Sequence, residues 1–223
     1  IPTSYSASAP NQVWCWDISY MPSGIRGLYW YLYAIIDIYS RKLVAWEVHD
    51  KECSQLASEL VQRAVLREQC LFKPLVLHSD NGSPMKGSTL RAKLQEVGVT
   101  SSYSRPRVSN DNPFVESLFK TVKYCPQWPK SGFATVGCAR EWMLEFTRFY
   151  NHEHRHSGIR FVTPAQRHQQ QDVALLEKRK AVYEQAKSDY PQRWAGRATR
   201  NWSPIGPVSL NPERENVQAQ SAE

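Results

Sequence analysis

Hydrophobic and polar positions alternate from Val13 to Tyr20, with Trp14, Trp16 and Ile18 on one side and Cys15, Asp17 and Ser19 on the other. That period of two predicts a half-buried strand whose Asp17 points away from the tryptophans. Pro22 and Gly24 mark a turn, and Tyr29 to Ile38 is an almost continuous apolar and aromatic run, which predicts a central strand buried on both faces. After a turn at Ser40-Arg41, Leu43 to Val48 gives a third strand. The connections are short, so the three form an antiparallel meander. Leu56, Leu60, Val61 and Ala64 then mark one face of a helix from about Ser54 to Cys70. Leu75-Val76-Leu77 is a short buried strand running into His78-Ser79-Asp80-Asn81-Gly82. A helix through Leu90, Leu94 and Val97 stops at Gly98, and Val99 to Tyr103 is a fifth strand.

The stretch after Ser104 opens as a loop carrying Arg105 and Arg107 and becomes a helix through Asp111-Asn112-Pro113. Asp or Asn supplies a cap, and Pro at the first helical position gives up only an N–H that has no partner. Phe114, Leu118 and Val122 recur at i, i+4 and i+8 and face a core. Glu116 lies on another face, and Lys123, seven residues or nearly two turns later, stacks above it. Trp142, Phe146, Phe149 and Tyr150 give an aromatic-faced helix, Thr163-Pro164 starts a short one, and residues 172–190 form a charged one. Beyond Pro191 the Arg-, Pro-, Gly- and Asn-rich chain is expected to be irregular or ordered by a partner.

Three antiparallel strands, helix, strand, helix, strand and further helices describe an α/β fold: a five-stranded mixed sheet with helices packed on it and a helical and irregular C-terminal extension. The expected organisation is a flexible Ser/Pro/Ala-rich leader over 1–10, a core over 11–169 and an extension over 170–223.

Charge narrows the partner. The 223 residues carry a net charge of +7, and from Arg105 to Arg167 ten cations face five acids. Such a footprint favours a polyanion. Lys120, Lys123, Arg105, Arg107 and Arg155 are the candidate DNA contacts, the loop arginines meeting phosphates rather than bases. Five widely spaced cysteines without a C-x-x-C pair argue against a disulfide framework and for a reducing, cytoplasmic setting. No apolar run approaches the roughly 18–20 residues of a membrane span, and no secretory leader is visible.

Two acids fall at or near strand ends, Asp17 and Asp80, and Glu116 opens a helix. Three carboxylates converging on one sheet end do not all ionise without a cation. Hard divalent ions with oxygen ligands suit that set, and Mg²⁺ takes one or two carboxylates while keeping waters. The bland alternative is that Asp17 and Asp80 end strands as turn formers and Glu116 complements a helix dipole. His78 and Asn81 flank Asp80 and are expected to shape its surroundings rather than to ligate. Asp37 precedes a Tyr-Ser-Arg turn and is read as a turn-forming hydrogen bonder. His152, His154 and His156 have no carboxylate or cysteine at ligand spacing, so they are not read as a zinc site.

Longer words decide between these readings. His78-Ser-Asp-Asn-Gly-Ser83, a gap of 35 residues from Asp80 to Glu116, and Ser104-Arg-Pro-Arg-Val-Ser-Asn-Asp-Asn-Pro-Phe-Val-Glu116 resemble the integrase-type catalytic core of DDE transposases. Trp14-Cys-Trp-Asp17, Ile36-Asp-Ile-Tyr-Ser-Arg41, and Phe149-Tyr-Asn-His-Glu-His-Arg-His-Ser157 with Thr163-Pro164 fit it too. The nearest likeness is to bacterial insertion-sequence transposases of the IS-three group, relatives of retroviral integrases, over about Val13 to Gln169. The resemblance implies an RNase H-like fold and a site of Asp17, Asp80 and Glu116 holding two Mg²⁺ ions, with Mn²⁺ as substitute. It also implies DNA cleavage followed by strand transfer, Lys123 beside the DNA end, a homo-oligomer acting on element ends and target DNA, and a bacterial, nucleoid-associated location. Two alternatives stay open: an RNase H-like nuclease that only hydrolyses, and a domesticated, non-catalytic DNA-binding protein.

Overall fold

The computed structural model describes residues 4–105 and 111–212. Five strands form one mixed sheet: β2 (Val13–Pro22), β3 (Tyr29–Asp37), β4 (Leu43–His49), β5 (Leu75–Ser79) and β6 (Val99–Tyr103) in the order β4-β3-β2-β5-β6. The first three are an antiparallel meander, and β2, β5 and β6 run parallel. Parallel neighbours require crossovers, and helices supply them. Helix α1 (Ser54–Arg67) joins β4 to β5, while α2 (Ser83–Lys86) and α3 (Ser88–Glu96) join β5 to β6.

Each face of the sheet is covered. On one, Trp14, Trp16, Tyr33 and Ile35 pack under Leu60, Val61 and Ala64 of α1 and Leu90 and Leu94 of α3. On the other, Cys15, Leu32, Ala34 and Ile36 pack under α4 (Pro113–Lys123) and α5 (Val136–His152) through Val115, Leu118, Val122, Met143, Phe146 and Tyr150. Burying aliphatic side chains such as these contributes roughly 1.5–3 kcal/mol each.

The central strand is thus β2, with β3 beside it, and β2 is covered on both faces rather than one. Its alternating polar residues therefore lie under a covering layer and not on a solvated face. On α4 the core stripe runs through Val115, Leu118, Phe119 and Val122, whereas Phe114 is half-buried with the Arg41 guanidinium 4.3 Å from its ring centroid.

Both ends of the chain are more ordered than composition suggests. Tyr5–Ala7, within the expected flexible leader, is a strand, β1, paired antiparallel with β7 (Val208–Leu210). A three-residue strand has no visible periodicity, and its partner lies about 200 residues away, so no local signal announces it. Ala7, Val208 and Leu210 all enter the main core. Helix α6 (Pro164–His168), begun by a capping box of Thr163 and Gln166, closes the expected core, and α7 (Asp172–Asp189) opens the extension. Trp202 is buried with Ile159, Val162 and Leu176 in a satellite core.

Candidate active site

Register brings the first two acids together. Cys15 of β2 pairs with His78 of β5 in parallel, so Asp17 on β2 and Asp80, the first residue beyond β5, each follow that pair by two residues. Asp17 shares the Cys15 face of β2, the face covered by α4. The Asp17 carboxylate accepts the Ile18 N–H at 2.8 Å, and that of Asp80 accepts the Gly82 N–H, also at 2.8 Å. A Cβ built on Gly82 would lie 3.0 Å from Asp80 Oδ1 and 2.8 Å from Met85 Sδ, so the missing side chain makes room for the carboxylate.

The third acid arrives on α4, and Asn112 docks that helix. Its side-chain N–H donates to the carbonyl of Trp16, the residue before Asp17, at 3.2 Å, while its own carbonyl accepts the Glu116 N–H. One buried residue therefore links the two elements that carry Asp17 and Glu116. The sequence suggests no more for Asn112 than a helix cap. It makes no side-chain cap bond, and its Oδ1 is buried without a partner among the described residues.

His78 is fully buried, its ring nitrogens against the hydroxyls of Ser102 at 2.9 Å and Ser104 at 3.2 Å. Burial pushes this imidazole below its ordinary range, chiefly by desolvation. Asn81 donates to the Ser104 carbonyl. The two residues flanking Asp80 thus clamp β5 to the end of β6.

Electrostatics mark Asp17. Burial, then the neighbouring Asp80, and more weakly Glu116 and Glu52 raise its carboxyl to about 7, against the Ile18 N–H that favours the anion. Glu52, in the β4–α1 connection, is a fourth acid with no sequence signal. Desolvation also raises Glu116, opposed by Lys120 one turn along. Lys123 is pulled below the usual lysine range by partial burial and drawn back by Asp17. Among the described residues no three His, Cys, Asp or Glu side chains are close enough to share one ion. Asp17 and Asp80 are neighbours; Glu116 stands further out.

The remaining candidates fall as follows. Arg105 is held by Asp111, which takes its backbone N–H, Nε and Nη2 at 2.9, 3.0 and 2.9 Å; Arg107 lies outside the described residues. Lys120 is exposed on α4, and Arg155 sits beyond α5 with Nη1 3.4 Å from Gln166 Oε1. Asp37 builds the β3–β4 turn, accepting from Ser40 N, Ser40 Oγ and Asn11 N at 2.7 Å each. His154 stacks on Tyr150, and the His156 imidazole, lowered to about 4 by burial and Arg41, accepts the Gly158 N–H.

The Asp17 shift has a measurable sign. A carboxyl that titrates near 7 folded and near 3.8 unfolded binds its proton more tightly in the folded state, so stability falls as pH rises through that window and stays low above it. In chelator-containing buffer, Asp17→Asn is expected to stabilise the protein by about 2 kcal/mol at pH 8 and negligibly at pH 4. Thermal melts at the two pH values check it; an equal effect at both would show that Asp17 is not the strained group.

Comparisons with known proteins agree on the scaffold. Residues 7–109 and residues 97–164 each match a family model described as an integrase core domain. The chain is 32% identical over 162 residues to the transposase for insertion sequence element IS904 of Lactococcus lactis, covering 72% of this chain and 62% of that protein. It is 31% identical over 119 residues to transposase InsF for insertion sequence IS3A of Escherichia coli, covering 53% and 40%. The chain therefore spans between 40% and 62% of the length of these curated relatives. Among solved structures, the HTLV-2 integrase catalytic core domain in complex with magnesium superposes with a TM-score of 0.53 at 18% identity, over 72% of this chain and 97% of that one. A simian T-cell lymphotropic virus intasome in complex with PP2A regulatory subunit B56 gamma gives 0.56 at 17% identity, over 73% and 55%. The five-stranded sheet with helices on both faces is accordingly RNase H-like, and the two integrase core domain matches together run from residue 7 to residue 164 of this chain.

Proposed function

We propose that this chain is the catalytic core of a bacterial insertion-sequence transposase, a polynucleotidyl transferase that cleaves a phosphodiester at a DNA end and joins the freed 3′-hydroxyl to a second DNA. The observation that supports this reading is the pairing of Cys15 with His78, two residues before Asp17 on β2 and Asp80 just past β5, with burial and the Asp80 carboxylate raising Asp17 to about 7. Carboxyl groups crowded together and partly withdrawn from water are a donor set that suits a hard divalent cation. Asp17 and Asp80, with Glu116 delivered by α4, would hold Mg²⁺ (a pair of ions, Mn²⁺ substituting). Bound there, the metal supplies Lewis-acid polarisation of the phosphoryl oxygens and eases deprotonation of the attacking hydroxyl or water.

The protein's own groups do the rest. Asn112 and the Asn81–Ser104 and His78–serine bonds set the relative positions of β2, β5 and α4. Lys123 holds a phosphate beside the reacting one, and the basic loop and α4 carry the backbone on either side. In the first step water attacks phosphorus and the P–O3′ bond breaks, the leaving oxygen taking a proton to become the 3′-hydroxyl. In the second, that hydroxyl forms a new P–O3′ bond to target DNA as the target's own P–O3′ bond breaks. Two DNA ends meeting one target imply a homo-oligomer on DNA in the bacterial cytoplasm.

The test is an assay of the chain, within its full-length transposase, on a pre-cleaved element end with Mg²⁺ and with chelator. Joined product that requires the metal is the expected outcome. Hydrolysis without joining would favour the plain nuclease, and DNA binding without either reaction the non-catalytic protein.

A further inference from the structure

Between residues 154 and 212 the chain holds ten Lys and Arg against four Asp and Glu, and several of these arginines gather around two aromatic rings. The Arg200 guanidinium lies 5.0 Å from the Phe161 ring centroid and 5.6 Å from that of Trp202. Arg179 approaches the same indole at 5.6 Å. Its Nη1 donates to the carbonyls of Arg160 and Phe161 at 3.1 Å each, and those two residues have φ of 59° and 61°. Left-handed backbone at consecutive non-glycine residues is strained, and Arg179 clamps it in place. Arg160 Nε in turn donates to the Ser203 carbonyl at 3.3 Å.

This cluster has more positive charge than its surroundings balance. Among the described residues none of Arg155, Arg160, Arg179 and Arg200 forms an ion pair. Arg179 is lowered by burial first and by Arg155 second, so like charges are held within reach of each other. Trp202 is 6% exposed, and its indole N–H is buried without an acceptor among the described residues. Guanidinium forks on aromatic faces beside an unpaired N–H lack one thing, an anion with several acceptor oxygens.

We propose that Arg160, Arg179 and Arg200, arranged around Phe161 and Trp202, form a second anion site that holds the phosphodiester backbone of duplex DNA. It rests on the DNA-acting function proposed above, and is built from the chain after α5 rather than from the elements bearing the carboxylates. Phosphate contacts carry no sequence information, so this site adds affinity and register for any duplex.

The experiment measures binding of a random-sequence duplex by fluorescence anisotropy in chelator, from 50 to 300 mM salt, on the chain as it stands. Neutralising two contacts with Arg160→Gln and Arg200→Gln, the first half-buried and the second exposed, is expected to make the plot of log affinity against log salt shallower by about 1.8 and to weaken binding at least tenfold at 100 mM salt. Arg200→Lys should keep the slope, because the charge remains. A double variant that binds with the wild-type slope overturns the site while leaving the function intact; a wild-type chain with no affinity for duplex overturns both. If inorganic phosphate alone perturbs Trp202 fluorescence and duplex does not, the ligand is a small free anion and the DNA assignment falls.

Discussion

Asp80→Asn and Glu116→Gln are each expected to lower DNA-end cleavage and joining by at least about a thousandfold, close to 4 kcal/mol of transition-state stabilisation. Both substitutions keep shape and remove one negative charge. The amide introduced by Asp80→Asn would still accept the Gly82 N–H through its oxygen, because that bond needs an acceptor and not an anion. What is lost is the charge that pairs with Asp17 to attract a divalent cation. Duplex binding should stay within about threefold of wild type, since phosphates meet the basic residues and not the carboxylates. Product gels with Mg²⁺ and anisotropy without it separate the two effects. Substantial joining by either variant would mean that the three acids have been misassigned.

The second large effect lies outside the site. Arg167 on α6 is 1% exposed, and every nitrogen of its guanidinium has a partner. Nε donates to the Tyr39 carbonyl at 2.8 Å, Nη1 to Asp172 at 2.9 Å, and Nη2 to the Ile205 and Gly206 carbonyls at 2.9 and 3.4 Å. Its plane also lies 4.1 Å from the Tyr39 ring centroid. One side chain thereby joins the β3–β4 turn, the start of α7 and the returning C-terminal segment. Arg167→Ala leaves Asp172 as a buried, unpaired carboxylate and removes the donor from each of these carbonyls, a loss of about 3–5 kcal/mol. For a chain of this size that corresponds to a fall in Tm on the order of 10 °C. Arg167→Lys should recover only part of it, because a single ammonium cannot span the fork. A melt within about 2 °C of wild type for Arg167→Ala would show that the ion pair contributes little.

What could be read from the sequence depends on where each residue finds its partner. The strand and helix order was legible because β2 to β6 and their helices each have a local hydrophobic period. Long local words single out Asp17, Asp80 and Glu116 as candidates, and the pairing of Cys15 with His78 brings the first two to the same end of neighbouring segments. The half-buried reading of β2 failed for a physical reason: its polar positions face a covered layer, where a carboxylate is costly unless it has a task. Asn112, Arg167 and the β1–β7 pair were invisible because each acts across 96, 128 or about 200 residues of sequence. No window of neighbouring residues contains both ends of such a contact. The arginines after α5 showed only as excess charge, and which of them converge depends on the turn at Arg160 and Phe161.

The pairing of Tyr5–Ala7 with Val208–Leu210 makes the fold a closed circuit. Joining segments that far apart carries a loop-closure entropy that nothing local offsets, so the clasp closes only after the sheet and helices between are in place. Ala7, Val208 and Leu210, buried in the main core, offset that cost once the sheet is formed. Ile205, Gly206 and Trp202 lie on the chain just before β7, within the same returning strap. A few residues at one terminus thus act as the anchor for the basic cluster near the other, and loosening the first would slacken the grip of the second.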